Sequence, residues 1–334
     1  MTAVNTQCRL AARPVGLPKA ADWAIVDEPI PAVADGEFVV EIDYLSIDPA
    51  MRTWMNAGRS YVPAVEIGEV MRAFAAGCVV ESRHPEFAVG DQVSGLFGVQ
   101  DYAVSNGAGV YKIDTTLAPA TTYLAALGIS GLTAYFGLLD VGRPEPGQTV
   151  LVSGAAGSVG NLVGQIAKIK GCRAVGIAGG EQKCRWLHER AGFDAAIDYR
   201  TADLRAELKT HAPDGVDIFF DNVGGAALEA ALNRLAHGAR IVLCGAVSQY
   251  NDAPRGPANY MQLLVARASM TGFVIFDNLA RYPEAIAQLA NWIHTGQLRS
   301  HEHIEHGRVG DFPETLLKLF AGQNTGKLIL ALDY

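Results

Sequence analysis

No stretch of the 334 residues stays apolar for the roughly 18 positions a bilayer requires, so no membrane-spanning segment and no membrane partner are expected. The opening residues, MTAVNTQCRLAARP, lack both an apolar core and a cleavage site, which makes the cytoplasm the expected location. Cysteine is sparse and scattered. Cys8, Cys78, Cys172, Cys184 and Cys244 form no CxxC pair, which argues against a disulfide framework and a cysteine zinc site and leaves free buried thiols. Cations are also short, with 27 Lys and Arg against 35 Asp and Glu for a net charge of −8. Binding a phosphate backbone needs concentrated Lys and Arg, so nucleic acid is not an expected partner. What remains is a packed chain, 49% hydrophobic with 36 glycines, of a length that suits two domains.

The first third reads as β-rich. Short apolar runs at 38–42, 78–80 and 92–93 are separated by turns such as Ala34-Asp35-Gly36 and Val89-Gly90-Asp91. From about Tyr123 the texture changes. Strands are expected at 149–153 (TVLVS), 173–177, 195–197, 216–220 (VDIFF), 240–243 (RIVL) and 270–275, with helices at about 159–170 and 182–191 between them. Continuous apolar strands alternating with helices mean a parallel sheet covered on both faces, the doubly wound α/β class. A last strand is expected at 327–332 (KLILAL).

The strand TVLVS runs into Gly154-Ala155-Ala156-Gly157-Ser158-Val159-Gly160 and straight on into an amphipathic helix. Glycine permits the turn and lets backbone N–H groups approach a pyrophosphate, while the helix N-terminus supplies unpaired donors and partial positive charge. Strand, turn and helix in that order predict a dinucleotide site. An NAD-binding chain places Asp or Glu at the end of the next strand, about 20 residues on. Here the strand ends Ala174-Val175-Gly176-Ile177-Ala178-Gly179-Gly180, with no acid before Glu181 and with Lys183, Arg185 and Arg200 nearby. Without that carboxylate a 2′-phosphate is not repelled, and the cations can pair with it. NADP(H) is the expected cofactor. Arg185 is expected to be only a solvated helix charge.

Seven stretches now point further: LSIDPAMR at 45–52, GLTAYFGL at 131–138, AAGSVG at 155–160, GQIAKIKG at 164–171, DIFFDNVGG at 217–225, IVLCGAVSQYN at 241–251 and NTGK at 324–327. With them the chain resembles the prostaglandin and leukotriene reductases, plant alkenal double-bond reductases and bacterial curcumin-reductase-like enzymes, a zinc-free branch of the medium-chain dehydrogenase/reductase superfamily. The resemblance covers nearly the whole chain. It implies a GroES-like substrate domain at 1–123, completed by 298–334, a Rossmann NADP(H)-binding domain at 124–297, an active site in the cleft between them, and a homodimer. By matching motif it implies that Gly154, Ala156, Gly157, Ser158, Val159 and Gly160 face the pyrophosphate and that Lys183 and Tyr199 hold the 2′-phosphate. Asn222, Cys244, Gly245, Ala246, Val247, Ser248, Gln249 and Tyr250 would line the cofactor. Phe273, Val274 and Ile275 would contact the nicotinamide end, and Asn324 would reach the cofactor from the C-terminal segment. The family's Ser-x-Glu-Lys is replaced by Gly180-Glu181-Gln182-Lys183, so one hydroxyl to the phosphate is missing. Residues 65–72 and 82–85 fit the family only loosely, which leaves the substrate pocket undefined.

Catalytic zinc is not expected. Gly68-Glu69 stands where zinc alcohol dehydrogenases carry Gly-His-Glu, and His301, His303 and His306 have no evident further ligands. The chemistry implied is reduction of the carbon–carbon double bond of an α,β-unsaturated aldehyde or ketone. Such a site must stabilise negative charge on the carbonyl oxygen and protonate the α-carbon. Tyr250, following strand 240–243 at its C-terminal end where doubly wound sheets bind ligands, is the expected catalytic phenol; a purely packing or cofactor-contact role is the alternative for it. Arg52 is expected as a structural group rather than a substrate clamp. An NADPH quinone reductase and a non-catalytic NADP(H)-sensing protein are the alternative functions.

Overall fold

In the computed structural model, which describes residues 4–333, the chain begins with β1 (Val4–Leu10) and β2 (Trp23–Pro29), paired antiparallel. There follow β3 (Phe38–Ser46), a short helix α1 (Ala50–Trp54), β4 (Phe74–Ser82), β5 (Gln92–Leu96), β6 (Tyr102–Ser105) and β7 (Tyr111–Lys112). The expected runs at 38–42, 78–80 and 92–93 are the middles or starts of longer strands. β1 and β2 carry no clean alternation and were not anticipated.

The second stretch contains α2 (Ile129–Phe136), extended by a π-helical turn (Gly137–Gly142), then β8 (Thr149–Ser153) and α3 (Ser158–Ile169). It continues through β9 (Arg173–Ala178), α4 (Glu181–Glu189), β10 (Ala195–Asp198), α5 (Leu204–His211), β11 (Val216–Asp221), α6 (Gly225–Leu232) and β12 (Leu235–Leu243). After these come α7 (Gln262–Ala266), β13 (Ser269–Gly272) and α8 (Tyr282–His294). The six strands lie in the order β10-β9-β8-β11-β12-β13, all parallel. That is the 3-2-1-4-5-6 order of a Rossmann sheet, whose direction of winding reverses between β8 and β11. Burial explains the apolar runs: residues 150–153 of β8 and 174–178 of β9 are buried, as strands covered on both faces must be. Leu151, Val175, Ile177, Phe219 and Ile241 form the centre of this core.

One boundary differs from expectation. The strand anticipated at 270–275 ends at Gly272, and Ile275 opens a short 3₁₀ helix (Ile275–Arg281). The apolar run continues past the strand because Phe273 packs inward, its ring 6.3 Å from that of Phe220.

The chain then returns with β14 (Glu302–Gly307), α9 (Phe312–Phe320) and β15 (Lys327–Leu332). The last strand is buried throughout and lies between β14 and β3, inside the sheet that also holds β4, β5, β6 and β7. Residues up to Leu124 together with those from Glu302 form one compact unit, and Ala125–His301 forms the other. The first unit has its own core, built on Phe38, Ile42, Met51 and Leu330, with Trp23 packed edge-on against Phe312 at 5.4 Å. No helix among the described residues is long and apolar enough to cross a membrane.

Candidate active site

The winding reversal places the carboxyl ends of β8 and β11 side by side, where an open α/β sheet forms its ligand crevice. From β8 the chain turns at Gly154, whose φ of +58° suits glycine. Gly157 N–H donates to Gly154 O at 3.0 Å, closing the turn, and Ala155 N–H donates to Ile177 O at 3.0 Å, tying it to β9. A Cβ on Gly160 would stand 2.3 Å from Gly154 O, so only glycine lets the helix start this close to the strand. Helix α3 has no side-chain cap at its N-terminus, which leaves its first-turn N–H groups aimed into the crevice without a side-chain acceptor. Ser158 spends its hydroxyl elsewhere, on Ser130 Oγ at 2.6 Å. Ala156 is buried, and Val159 is half-buried in the first turn.

Beyond β9 the acid-free end predicted from sequence gathers cations. Tyr199 and Arg200 lie over Gly179: a Cβ there would meet Tyr199 Oη at 2.9 Å and Arg200 Nε at 3.0 Å. Lys183 is held below the ordinary lysine range, first by burial and then by the like charge of Arg200. The carboxylates nearby are already engaged. Asp198 accepts Gly180 N–H at 2.8 Å and Arg200 N–H at 3.0 Å, which hold its carboxyl below the usual range. Glu181 pairs with Arg185, so Arg185 is taken up on the helix surface as expected. A half-buried lysine whose charge is disfavoured by burial and by Arg200, with that arginine over a diglycine, is a setting in which an added anion is favourable.

The third wall was only partly foreseen. Asp221, fully buried at the end of β11, accepts Ser153 Oγ–H at 2.6 Å, Val223 N–H at 3.0 Å and Gly224 N–H at 2.9 Å, all on Oδ1. Burial still raises its pKa, and Oδ2 has no partner. Asn222 donates from Nδ2 to Ser153 O at 2.7 Å, which locks the two strand ends together. The loop 244–250 then follows this turn. Cys244 and Gly245 N–H reach Asp221 O, Val247 N–H reaches Asn222 O, and Ser248 reaches Val223 O. Gln249 holds Arg255 through its side-chain amide. Tyr250 folds back onto its own loop, its Oη accepting Ala246 N–H at 3.3 Å and lying 2.8 Å from where a Cβ on Gly245 would stand. Burial, with Asp221 adding, pushes the Cys244 thiol up to about 12.

Of the residues expected at the nicotinamide end, Phe273 packs against the π-helical turn, where a Cβ on Gly137 would come within 2.5 Å of its ring. Val274 is half-buried and Ile275 buried. Asn324 belongs to the first unit, buried, with its Nδ2 donating to Gly326 O at 2.8 Å. Arg52 is buried there too, its guanidinium spanning Gly16 O, Pro14 O and Asn56 Oδ1, which is a structural role. The late histidines go separate ways: His301 packs at a tilt against Trp186, His303 meets Glu305 and His306 meets Asp333. Among the described residues no three His, Cys, Asp or Glu side chains are grouped to hold a metal ion.

A family profile for the N-terminal domain of oxidoreductase matches residues 6–113, and one for zinc-binding dehydrogenase matches 158–291. The NADPH-dependent curcumin reductase of Escherichia coli is 38% identical over 98% of this chain and 96% of its own. The chain belongs to the medium-chain dehydrogenase/reductases, in the branch of the curcumin, alkenal and prostaglandin reductases. Within that family, 2-alkenal reductase (NADP(+)-dependent) of Nicotiana tabacum is 38% identical over 98% of this chain and 97% of its own. The structure of CurA from Vibrio vulnificus in complex with NADPH matches with a TM-score of 0.93 and 42% identity over 98% of this chain and 99% of that one.

Proposed function

We propose that this medium-chain reductase uses NADPH to reduce the carbon–carbon double bond of α,β-unsaturated aldehydes or ketones. The observation that carries the reading is the acid-free diglycine after β9 with Tyr199 and Arg200 lying over it and Lys183 within reach of the charge of Arg200, in a chain whose full-length relatives bear the names of curcumin and 2-alkenal reductases. The cofactor is NADP(H). The first-turn N–H groups of α3, from Ser158 to Gly160, hold the pyrophosphate, and Gly154, Ala156 and Gly157 keep side chains out of its way. Lys183 and Arg200 pair with the 2′-phosphate, and the Tyr199 phenol adds a hydrogen bond. Asn222, with the loop from Cys244 to Tyr250, lines the remaining length, and residues 273–275 the nicotinamide end.

When bound, NADPH supplies the hydride that adds to the substrate's β-carbon. Negative charge then develops on the carbonyl oxygen. Tyr250 Oη–H donates to that oxygen or delivers the proton, and the Ala246 N–H that Oη accepts eases the charge left on the phenol. A cytoplasmic location belongs to this reading, since thiols stay reduced there and the five cysteines are free. A homodimer is favoured by β13, an edge strand of the sheet flanked by exposed Tyr260, Met261, Leu264, Val265 and Leu279.

Turnover of an enone panel with deuterated NADPH, followed by mass spectrometry and NMR of the product, tests the reaction. The label is expected at the β-carbon with the carbonyl intact. Label at the carbonyl carbon, or turnover of quinones alone, would defeat the proposal.

A further inference from the structure

At the amino ends of the Rossmann strands, away from the phosphate turn, the second unit carries an open surface pocket of about 460 Å³ lined by Arg143, Glu145, Gln148, Arg240, Arg267 and Ser269, among others. Nothing in the reductase chemistry uses it. Arg143 follows the π-helical turn, Gln148 precedes β8, Arg240 comes from β12, and Arg267 with Ser269 from the junction of α7 and β13.

Several features set it apart from an ordinary charged surface. Among the described residues, Arg143 and Arg267 are the two non-glycine residues in left-handed backbone conformation, at φ +49° and +51°. Each closes a helical segment, Arg143 N–H donating to Leu138 O at 2.8 Å and Arg267 N–H to Leu264 O at 3.2 Å. Glycine is the residue such helix ends prefer, and an L side chain there is strained. A helix C-terminus attracts cations in general, but that attraction is served as well by a residue one turn back in relaxed geometry. Strain kept at two positions that face one pocket points to use of their side chains.

Arg240 adds a third guanidinium. Its Nη1 donates to Arg143 O at 2.8 Å and its Nη2 to Gln148 Oε1 at 2.7 Å, while its Nε is buried without a partner. Gln148 also accepts Glu145 N–H at 3.1 Å, so the wall is cross-braced. No carboxylate stands within ion-pair distance of Arg143, Arg240 or Arg267 among the described residues. Three arginines against the one Glu145 leave two positive charges on the lining. That charge matches a dianion, and the planar fork of arginine matches the oxygens of a phosphate.

We propose that this pocket is a phosphate-dianion site, separate from the nucleotide crevice, taking inorganic phosphate or a small phosphate monoester. It stands independently of the alkene-reductase reading.

Isothermal titration of inorganic phosphate, and separately of glycerol 3-phosphate, into NADPH-saturated protein at pH 8 and constant ionic strength tests the proposal. Saturation with NADPH keeps the probe off Lys183 and Arg200. One saturable site per chain is expected, with acetate at least about tenfold weaker because it is a monoanion. Arg143→Gly and Arg267→Gly should each weaken phosphate about tenfold or more, while melting no lower than the parent, since glycine suits both backbones. Tighter binding of the ester would identify a phosphorylated metabolite as the ligand, and equal or weaker binding would identify free phosphate. Absence of saturable binding, equal binding of acetate, or unchanged affinity in well-folded Arg143→Gly and Arg267→Gly would overturn it.

Discussion

Lys183 sits where burial and Arg200 both disfavour its charge, so its pKa lies below the ordinary lysine range. A cation of this kind costs the folded state stability while protonated, and that cost is relieved as pH rises from the lowered value toward the ordinary one. A 2′-phosphate between the two cations reverses the preference. NADPH binding should therefore take up a proton at alkaline pH, and NADPH affinity should fall as pH rises through the lowered pKa, measured by fluorescence titration. Lys183→Arg, which stays charged, should flatten that profile. Lys183→Ala removes a charge-assisted contact of about 1.5–3 kcal/mol, or roughly tenfold to a hundredfold in NADPH affinity, with NADH binding nearly unchanged; equal losses for both would reject the assignment. At Tyr250, replacement by Phe keeps the ring but deprives Ala246 N–H of its acceptor. A fall in kcat of at least about tenfold is expected, with NADPH affinity held within a few-fold. Parental turnover would return Tyr250 to a packing role.

At the scale of elements, the phosphate turn depends on how closely α3 approaches β8. Gly160→Ala puts a methyl 2.3 Å from Gly154 O, so the turn must open. A loss of about 1–3 kcal/mol in stability is expected, together with weaker NADPH binding, read by thermal melting with and without cofactor. A methyl at Gly147, where nothing lies within 4 Å, meets no such wall, although its φ of +86° carries its own strain. The turn was legible because strand, glycines and helix are contiguous in sequence. KLILAL was legible because every residue of β15 is buried. The Ser153–Asp221 bond was not, since the two residues are 68 apart and meet only because β8 and β11 are neighbours at the winding reversal. A carboxylate ending the apolar run VDIFFD was the one local hint. Arg200 was visible as a nearby cation, but its position over Gly179 depends on how β10 lies beside β9. The end of β13 was misjudged because Phe273 is apolar for packing, a demand that does not distinguish strand from turn.

For the whole molecule, the edge strand β13 and the exposed Leu264 and Val265 beside it set an expectation for assembly. The parent should sediment as a dimer. Leu264→Lys with Val265→Lys should shift it to monomer, and a parent that is monomeric at micromolar concentration would reject the dimer. With no cluster of metal ligands among the described residues, activity should survive exhaustive chelation. A tightly held zinc lost together with activity would reverse that conclusion.

The five cysteines share one property: each thiol has its pKa raised, chiefly by burial, those of Cys8 and Cys244 to about 12. Thiolates, not thiols, are what unsaturated carbonyls alkylate. Were unsaturated carbonyls its substrates, as proposed, the protein would thereby be spared as their target, including at Cys244 in the loop 244–250. Folded protein at neutral pH should take up N-ethylmaleimide far more slowly than protein unfolded in urea, and it should keep its activity through many turnovers of a reactive enal.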